Sequence, residues 1–174
     1  DLGGWIAKES NLSQDGDCWI HDSAKVYDDA YIYHDAVVCD NAEVYGNAKV
    51  RGNSMVYDDA KVSDDAEVYG NAKVYDKANV YNDAWAFGNA EIFGDANVYD
   101  NAKIGGDANV FDCAQVGDNA EIYGNAKVKS INDYAVFKNF WRSGFWLTWT
   151  RSNDMWKEGL FYGTGDELIE KAYL

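Results

Sequence analysis

A six-residue repeat constrains the fold of this chain more than any other feature. From Ala24 to Asn125 the sequence consists of 17 consecutive six-residue units without an insertion, of which AEVYGN and AKVRGN are typical. Position one is almost always Ala, position three is Val or Ile except at Ala86, and positions five and six are mostly Asp, Asn or Gly. The segment CWIHDS extends the register back to Cys18. Such a fixed period is typical of architectures in which each unit buries its apolar face against the next.

The chemistry of the six positions predicts a short strand and a bend in every unit. Side chains at positions one and three project from the same face of a strand, so a small and a β-branched residue are expected inside. Positions two and four are then expected to face solvent. Asp, Asn and Gly at positions five and six tolerate the left-handed conformations of tight corners. We therefore predict a parallel β-helix for residues 18–129.

The spacing of Val or Ile followed four residues later by Ala resembles the hexapeptide-repeat superfamily. These are the left-handed parallel β-helices of the trimeric LpxA-like kind, best known from acyltransferases. The resemblance implies that three units form one triangular coil, so that residues 18 apart stack about 4.8 Å from each other. The expected fold is all-β: a left-handed parallel β-helix of about six triangular coils, followed by a small C-terminal antiparallel β-meander and a helix.

The two ends differ in composition from the repeat. Residues 1–17 are predicted to be an N-terminal cap, in which Ile6 and Leu12, with Trp5 and the nearby Trp19, plug the open first coil. Residues 130–174 predict a closing module of three strands, YAVFKNF, FWLTWT and MWKEGLFY, joined by turns at RSG and RSND. A capping box then opens a short helix, and its residues are Thr164, Glu167, Leu168, Ile169, Ala172 and Tyr173.

The ends carry a second resemblance. The segments DLGGWI, NLSQDG and CWI before the repeat, and TWTRSNDMW and FYGTGDELIEKAY after it, resemble a group of hexapeptide-repeat proteins from phages and prophages. No catalytic residues are established for that group. The resemblance therefore implies a phage-associated context and leaves the activity open.

The charge of the chain excludes some partners. Lys and Arg number 15 against 30 Asp and Glu, and the net charge of -15 repels nucleic acid and anionic lipid. Solubility is the simplest role for this acidity, with binding of a cation or a basic partner as the alternatives. No apolar run approaches the length of a membrane span, and no signal-peptide pattern opens the sequence.

Cysteine usage bears on the compartment. The three cysteines, Cys18, Cys39 and Cys113, have neither paired nor CxxC spacing, so the sequence predicts neither a disulfide framework nor a zinc site. Free cysteines of this kind fit a reducing compartment best. We expect the cytoplasm of a bacterial host cell, with association with a virion as the alternative. No cofactor is predicted.

Outward aromatic residues are the main candidates for a binding surface. With a period of 18, position four stacks Tyr57, Tyr75, Phe93 and Phe111 in one uninterrupted column. Contiguous apolar stripes often mark interfaces, although stacked rings also stabilise sheets. We expect this face to be covered, most simply by further copies of the chain in a trimer, with a foreign partner or a glycan as the alternatives. Four tryptophans of the C-terminal module, Trp141, Trp146, Trp149 and Trp156, either close the helix or form a second binding surface.

Corner carboxylates are the only candidates for a metal site. Asp58, Asp76 and Asp112 stack at one corner, where they could share a calcium ion. Solvated side chains chosen for corner geometry are the simpler interpretation, and no metal is predicted.

Catalysis is the alternative to a binding role. Acyltransferases of the superfamily use a histidine as general base, and this chain offers His21 and His34, with Cys39 as an outward thiol. The repeat has no inserted loop to wall in a substrate, which argues against an enzyme. The leading hypothesis is a non-enzymatic scaffold or protein-interaction module, and the runner-up is an acyltransferase-like enzyme with His21 or His34 at a subunit interface.

Overall fold

The repeat forms a three-sided solenoid of two-residue parallel strands. The computed structural model describes residues 3–138 and 144–172. The first sheet contains, in spatial order, the strands Trp5–Ile6, Lys25–Val26, Glu43–Val44, Lys61–Val62, Asn79–Val80, Asn97–Val98 and Gln115–Val116. The second contains Tyr31–Ile32, Lys49–Val50, Glu67–Val68, Trp85–Ala86, Lys103–Ile104 and Glu121–Ile122. The third contains Trp19–Ile20, Val37–Val38, Met55–Val56, Lys73–Val74, Glu91–Ile92, Asn109–Val110 and Lys127–Val128.

The predicted register of 18 is confirmed throughout the repeat. For example, Lys49 pairs with Glu67 and Val50 with Val68 in a parallel ladder. Two of the three sheets have seven strands, so the solenoid has about seven coils, one more than the sequence predicted. The additional coil comes from the N-terminal segment, where Trp5 pairs with Lys25 at a spacing of 20 residues. The count of six was too low because two extra residues in this coil hide its register.

Positions one and three form the core. Every Ala at position one and every Val or Ile at position three between Ala24 and Val128 is buried. Ala86, which interrupts the pattern at position three, is also fully buried. Ser54 replaces Ala at position one, and its hydroxyl donates to the carbonyl oxygens of Arg51 at 2.8 Å and Val68 at 3.3 Å. The inside of the solenoid is therefore narrow and apolar, with the one serine satisfied by backbone.

Position five makes every corner. All 18 residues at this position from Asp22 to Gly124 have a φ between 54° and 75°, the left-handed region that Gly, Asn and Asp tolerate best. At Gly52 a Cβ would also lie 2.9 Å from the carbonyl oxygen of Gly70, so space favours glycine there as well. His34 is the one histidine at such a corner, with a φ of 59°.

The N-terminal coil closes the solenoid differently from the sequence prediction. Ile6 and Leu12 are half-buried and pack against the core, as expected. Trp5 and Trp19, expected to plug the first coil, are instead 56% and 55% exposed because they occupy outward positions of their strands. The buried Asn11, at the end of the 3-10 helix Glu9–Asn11, donates to the carbonyl oxygens of Ala30 at 2.7 Å and Asp28 at 3.1 Å.

The C-terminal module is an antiparallel sheet of four strands, not three. These are Tyr134–Lys138, Trp146–Thr150, Met155–Glu158 and Phe161–Gly163, preceded by the 3-10 helix Ile131–Asp133 and followed by the α-helix Gly165–Ala172. The predicted third strand is broken by a two-residue turn at Gly159 and Leu160, where Gly159 has a φ of 53°. The predicted turn at 151–154 and the capping box of Thr164 and Glu167 are confirmed. Trp141, Tyr173 and most of the RSG turn lie outside the described residues.

Candidate interaction surfaces

The third sheet presents the longest stack of aromatic rings on the repeat. We call Tyr57, Tyr75, Phe93 and Phe111 the third-sheet column. Their ring centroids are separated in turn by 4.9, 4.9 and 5.3 Å, and neighbouring planes lie within 9° of parallel. All four side chains are half-buried by one another. The four rings therefore form one continuous outward apolar strip, as the period of 18 predicted.

Sequence reasoning missed an apolar extension of this strip. Position two on the third sheet carries Trp19, Val37 and Met55 in consecutive coils. These residues lie beside the column, toward the N-terminal end of the same face. The period of 18 contained the signal, because stacking position two as well as position four brings the three residues together.

The aromatic columns on the other two sheets are interrupted. Ser63 and Gly117 replace aromatic residues on the first sheet, and Arg51 and Gly105 replace them on the second. The Arg51 guanidinium compensates by lying 4.1 Å from the centroid of the Tyr69 ring. The third sheet is therefore the face with the most continuous aromatic surface.

The three faces carry slightly more cations than carboxylates, whereas the corners are acidic. All Asp residues of the repeat occupy positions five or six, and all its Glu residues occupy position two. Each of these glutamates is next to a cation, as in the Lys73–Glu91 pair at 3.1 Å on the third sheet. Burial, and then the nearby Glu91 carboxylate, raise the pKa of Tyr75 to about 12, which keeps its phenol neutral. The corner carboxylates thus flank the aromatic strip, and the carboxylate on its own face, Glu91, is paired with Lys73.

The antiparallel sheet of the C-terminal module, which we call the fourth sheet, divides the predicted tryptophan surface between its two faces. Trp149 and Trp156 are cross-strand partners whose ring centroids lie 6.5 Å apart, and Phe137 packs edge-on against Trp156 at 5.9 Å. The Trp149 indole also donates to Asp154 at 2.8 Å. Trp146 lies on the opposite face of the sheet, with the Lys138 ammonium 5.9 Å from its ring. The three tryptophans therefore do not form a single surface.

The face of the fourth sheet opposite Trp149 and Trp156 closes the last coil with polar groups. The Thr148 hydroxyl accepts a hydrogen bond from the amide of Glu121 at 2.9 Å, and Ser152 accepts one from the amide of Lys127 at 2.6 Å. Lys157 forms an ion pair with Glu121 at 3.0 Å. Sequence reasoning assigned the module a closing role but did not identify these residues. The Thr-x-Thr alternation of a half-buried strand was the available signal.

The structure places the two candidate histidines at different positions of the repeat. His21 lies on the third sheet and its Nδ1 is 2.5 Å from the carboxylate of Asp22, whereas His34 lies at the corner that follows the second sheet. Cys39 stacks next to His21, but burial, and then a hydrogen bond to Asp40, raise the pKa of its thiol to about 12. Such a thiol is a poor nucleophile near neutral pH. Four surface depressions among the described residues are open to solvent, and none of these four is lined by His21 or His34.

Two of the three calcium candidates, Asp58 and Asp76, accept hydrogen bonds from the backbone. The Asp58 carboxylate accepts a hydrogen bond from the amide of Asp76 at 3.3 Å, and the Asp76 carboxylate accepts one from the amide of Gly94 at 3.0 Å. Equivalent bonds link other corners, so the acidic side chains join successive coils. Within residues 3–138 and 144–172, no group of three or more His, Cys, Asp or Glu side chains is placed to hold a metal ion.

Comparisons with known proteins return no family. No protein-family model matches the chain, and no curated protein matches it. The hexapeptide-repeat and phage resemblances therefore stay predictions, as does the left-handed sense of the solenoid. Among the described residues, no helix has the length and apolarity needed to cross a membrane.

Proposed function

We propose that this chain is a non-enzymatic scaffold and protein-interaction module. Its docking surface is the outer side of the third sheet, which we call the third face of the solenoid. The observation that carries the proposal is the uninterrupted column of Tyr57, Tyr75, Phe93 and Phe111 with its apolar extension at Trp19, Val37 and Met55. Aromatic side chains that become desolvated are the usual anchors of protein interfaces. The resemblance of both chain ends to phage and prophage proteins suggests an assembly of that kind as the context.

Further copies of the same chain are the most direct occupant of this face. Self-association of a chain with a net charge of -15 requires an interface that avoids the acidic groups. The Asp residues lie at the corners, and Glu91 on the third face is paired with Lys73 at 3.1 Å. A face-to-face contact can therefore cover the aromatic strip while the corner carboxylates stay in solvent. We propose a trimer, as in the superfamily that the repeat resembles.

The molar mass in solution tests the proposal. Light scattering should give three times the chain mass of 19.4 kDa for the parent. Replacing Tyr75 and Phe93 together with Ser should lower this mass while the β-sheet circular dichroism is retained. The matched control is Tyr69→Ser with Phe87→Ser, which removes an equivalent Tyr–Phe pair, stacked at 5.2 Å, from the second face. The control should leave the mass unchanged.

Two results would count against self-association through this face. A parent that scatters as a monomer would leave only a foreign protein as occupant. That alternative predicts a partner with a basic rim, matching the acidic corner at Asp58, Asp59, Asp76 and Asp95. A mass that survives the third-face change, or that falls equally in the second-face control, would show that the column only stabilises the solenoid.

A further inference from the structure

The three corners of the solenoid differ in charge. Each corner consists of the residues at positions five and six that follow the strands of one sheet, and we number the corners after these sheets. The first and third corners carry seven Asp residues each, and the third also has Lys77. The second corner has two, Asp35 and Asp107, and otherwise consists of His34, Gly and Asn. Acidity is therefore concentrated at two of the three corners.

The second corner borders the third face. In chain order the second corner precedes every strand of the third sheet and the third corner follows it, as Asn71 precedes and Asp76 follows the strand Lys73–Val74. The first corner lies opposite the third face, between the other two faces. A neighbouring copy that covers the third face must therefore approach the second and third corners, while the first corner stays remote from it.

The relative orientation of two copies decides which corners meet. If antiparallel copies bring their third faces together, the third corner of one copy lies opposite the third corner of the other, and both sets of seven Asp residues approach each other. If parallel copies turn their third faces toward a common axis, the second corner of one copy lies beside the third corner of its neighbour. Juxtaposed like charges disfavour association, so the charge distribution favours the parallel arrangement.

Hydrogen-bonding groups at the two corners are also complementary. At the second corner the amide nitrogen of Asn71 donates to Asn89 at 2.9 Å, and that of Asn89 donates to Asp107 at 2.8 Å. Each amide nitrogen carries a second N–H, whereas ionised carboxylates such as those of Asp58 and Asp95 only accept. The second corner thus supplies donors to a neighbour, and the third corner supplies mainly acceptors.

We propose that copies of this chain associate in parallel, with the second corner of each copy against the third corner of its neighbour. This inference rests on the proposed self-association through the third face, and it adds the surface and the orientation that the neighbour presents. Because the contact joins two different corners, it can repeat around an axis and close a ring, as a trimer requires. The C-terminal modules of all copies then lie at the same end of the assembly.

An added charge at one corner tests the contact. Asn89 at the second corner and Asn47 at the first donate to an Asp one coil further on, at 2.8 and 3.0 Å, so replacing either with Asp removes the same contact and adds the same charge. Light scattering over a dilution series should show that Asn89→Asp dissociates at about tenfold higher chain concentration than the parent, because its charge faces the neighbour's carboxylates. Asn47→Asp should behave as the parent does. Asn89→Lys should shift dissociation to lower concentration.

Cross-linking tests the orientation. Cys113 lies exposed at the third corner, whereas Cys18 and Cys39 are buried. Asp107→Cys adds a thiol at the second corner, six residues before Cys113 and hence at nearly the same height along the solenoid. In parallel copies a short bis-maleimide should link these two positions between chains. Asn101→Cys, at the first corner, is the matched control and should leave the chains unlinked, as should the parent.

The results distinguish this inference from the proposed function. An oligomer that dissociates in the Tyr75→Ser, Phe93→Ser variant but responds equally to Asn89→Asp and Asn47→Asp would overturn the corner contact alone. An oligomeric Asp107→Cys variant that does not cross-link, or that links no better than Asn101→Cys, would overturn the parallel orientation. A monomeric parent would contradict self-association and this inference together.

Discussion

The inner coils and the last coil of the solenoid satisfy the same backbone donors in different ways. In an inner coil the amide at position two donates to the carbonyl of the next coil, as Lys103 does to Ala120 at 2.8 Å. In the last coil the equivalent amide of Glu121 donates to the hydroxyl of Thr148, in the fourth sheet. The solenoid thus extends by backbone pairing and ends by side-chain pairing. Unpaired strand edges promote association with other chains, so the fourth sheet protects this end of the repeat.

The two regions also bury different side chains. Inner coils bury Ala and Val or Ile, and the small residue at position one lets three sheets approach one another closely. At the junction with the fourth sheet, Thr148 and Thr150 are buried, with 1% and 3% of their surface exposed. Apolar burial should therefore dominate the stability of the inner coils, whereas individual hydrogen bonds should matter more at the junction.

The largest effect should follow from a charge inside an inner coil. Val74 is fully buried, and Val74→Asp would place a carboxylate there without a partner, at a cost of about 4 kcal/mol. The adjacent Tyr75→Asp loses two ring contacts but leaves its charge in solvent, so we expect a loss of about 1–2 kcal/mol. Urea denaturation of both variants measures the difference. Equal losses would contradict the assignment of positions three and four to the inside and the outside.

A smaller effect should follow from removing one hydrogen bond at the junction. Thr148→Val keeps the shape of the side chain but leaves the Glu121 amide without its acceptor, which should cost about 1–3 kcal/mol. Thr148→Ser keeps the hydroxyl and serves as the control. Hydrogen exchange of the Glu121 amide should accelerate in Thr148→Val, while that of Lys103 should not. Equal acceleration at both amides would mean that the fourth sheet stabilises the whole solenoid and does not close one edge.

The same contrast explains what could be predicted from the sequence. Inside the repeat, each residue meets the residue 18 positions away, so one period predicts the register, the buried positions and the aromatic columns. The ends lack a period. Trp5 and Trp19 were assigned to a plug because they are apolar, but their outward strand positions leave them exposed. The fate of a missing ring required coordinates, since the sequence does not reveal that the Phe87 ring covers the position of Gly105.

Corner aspartates provide a third way of satisfying backbone donors, and they give the smallest predicted effect. Asp76 sits between Asp58 and Gly94 in one corner column, accepting the Gly94 amide while its own amide donates to Asp58. If this is the role of the column, millimolar calcium should leave Tm nearly unchanged, because an ion that binds only the folded state must raise it. Asp76→Asn retains an acceptor oxygen and should also be nearly neutral, whereas Asp76→Gly, which suits the φ of 57° at this corner but removes the acceptor, should cost about 0.5–1 kcal/mol. Thermal unfolding of the three proteins with calcium and with a chelator makes the comparison. A rise in Tm with calcium that disappears in Asp76→Asn would replace this hydrogen-bonding role with a metal site.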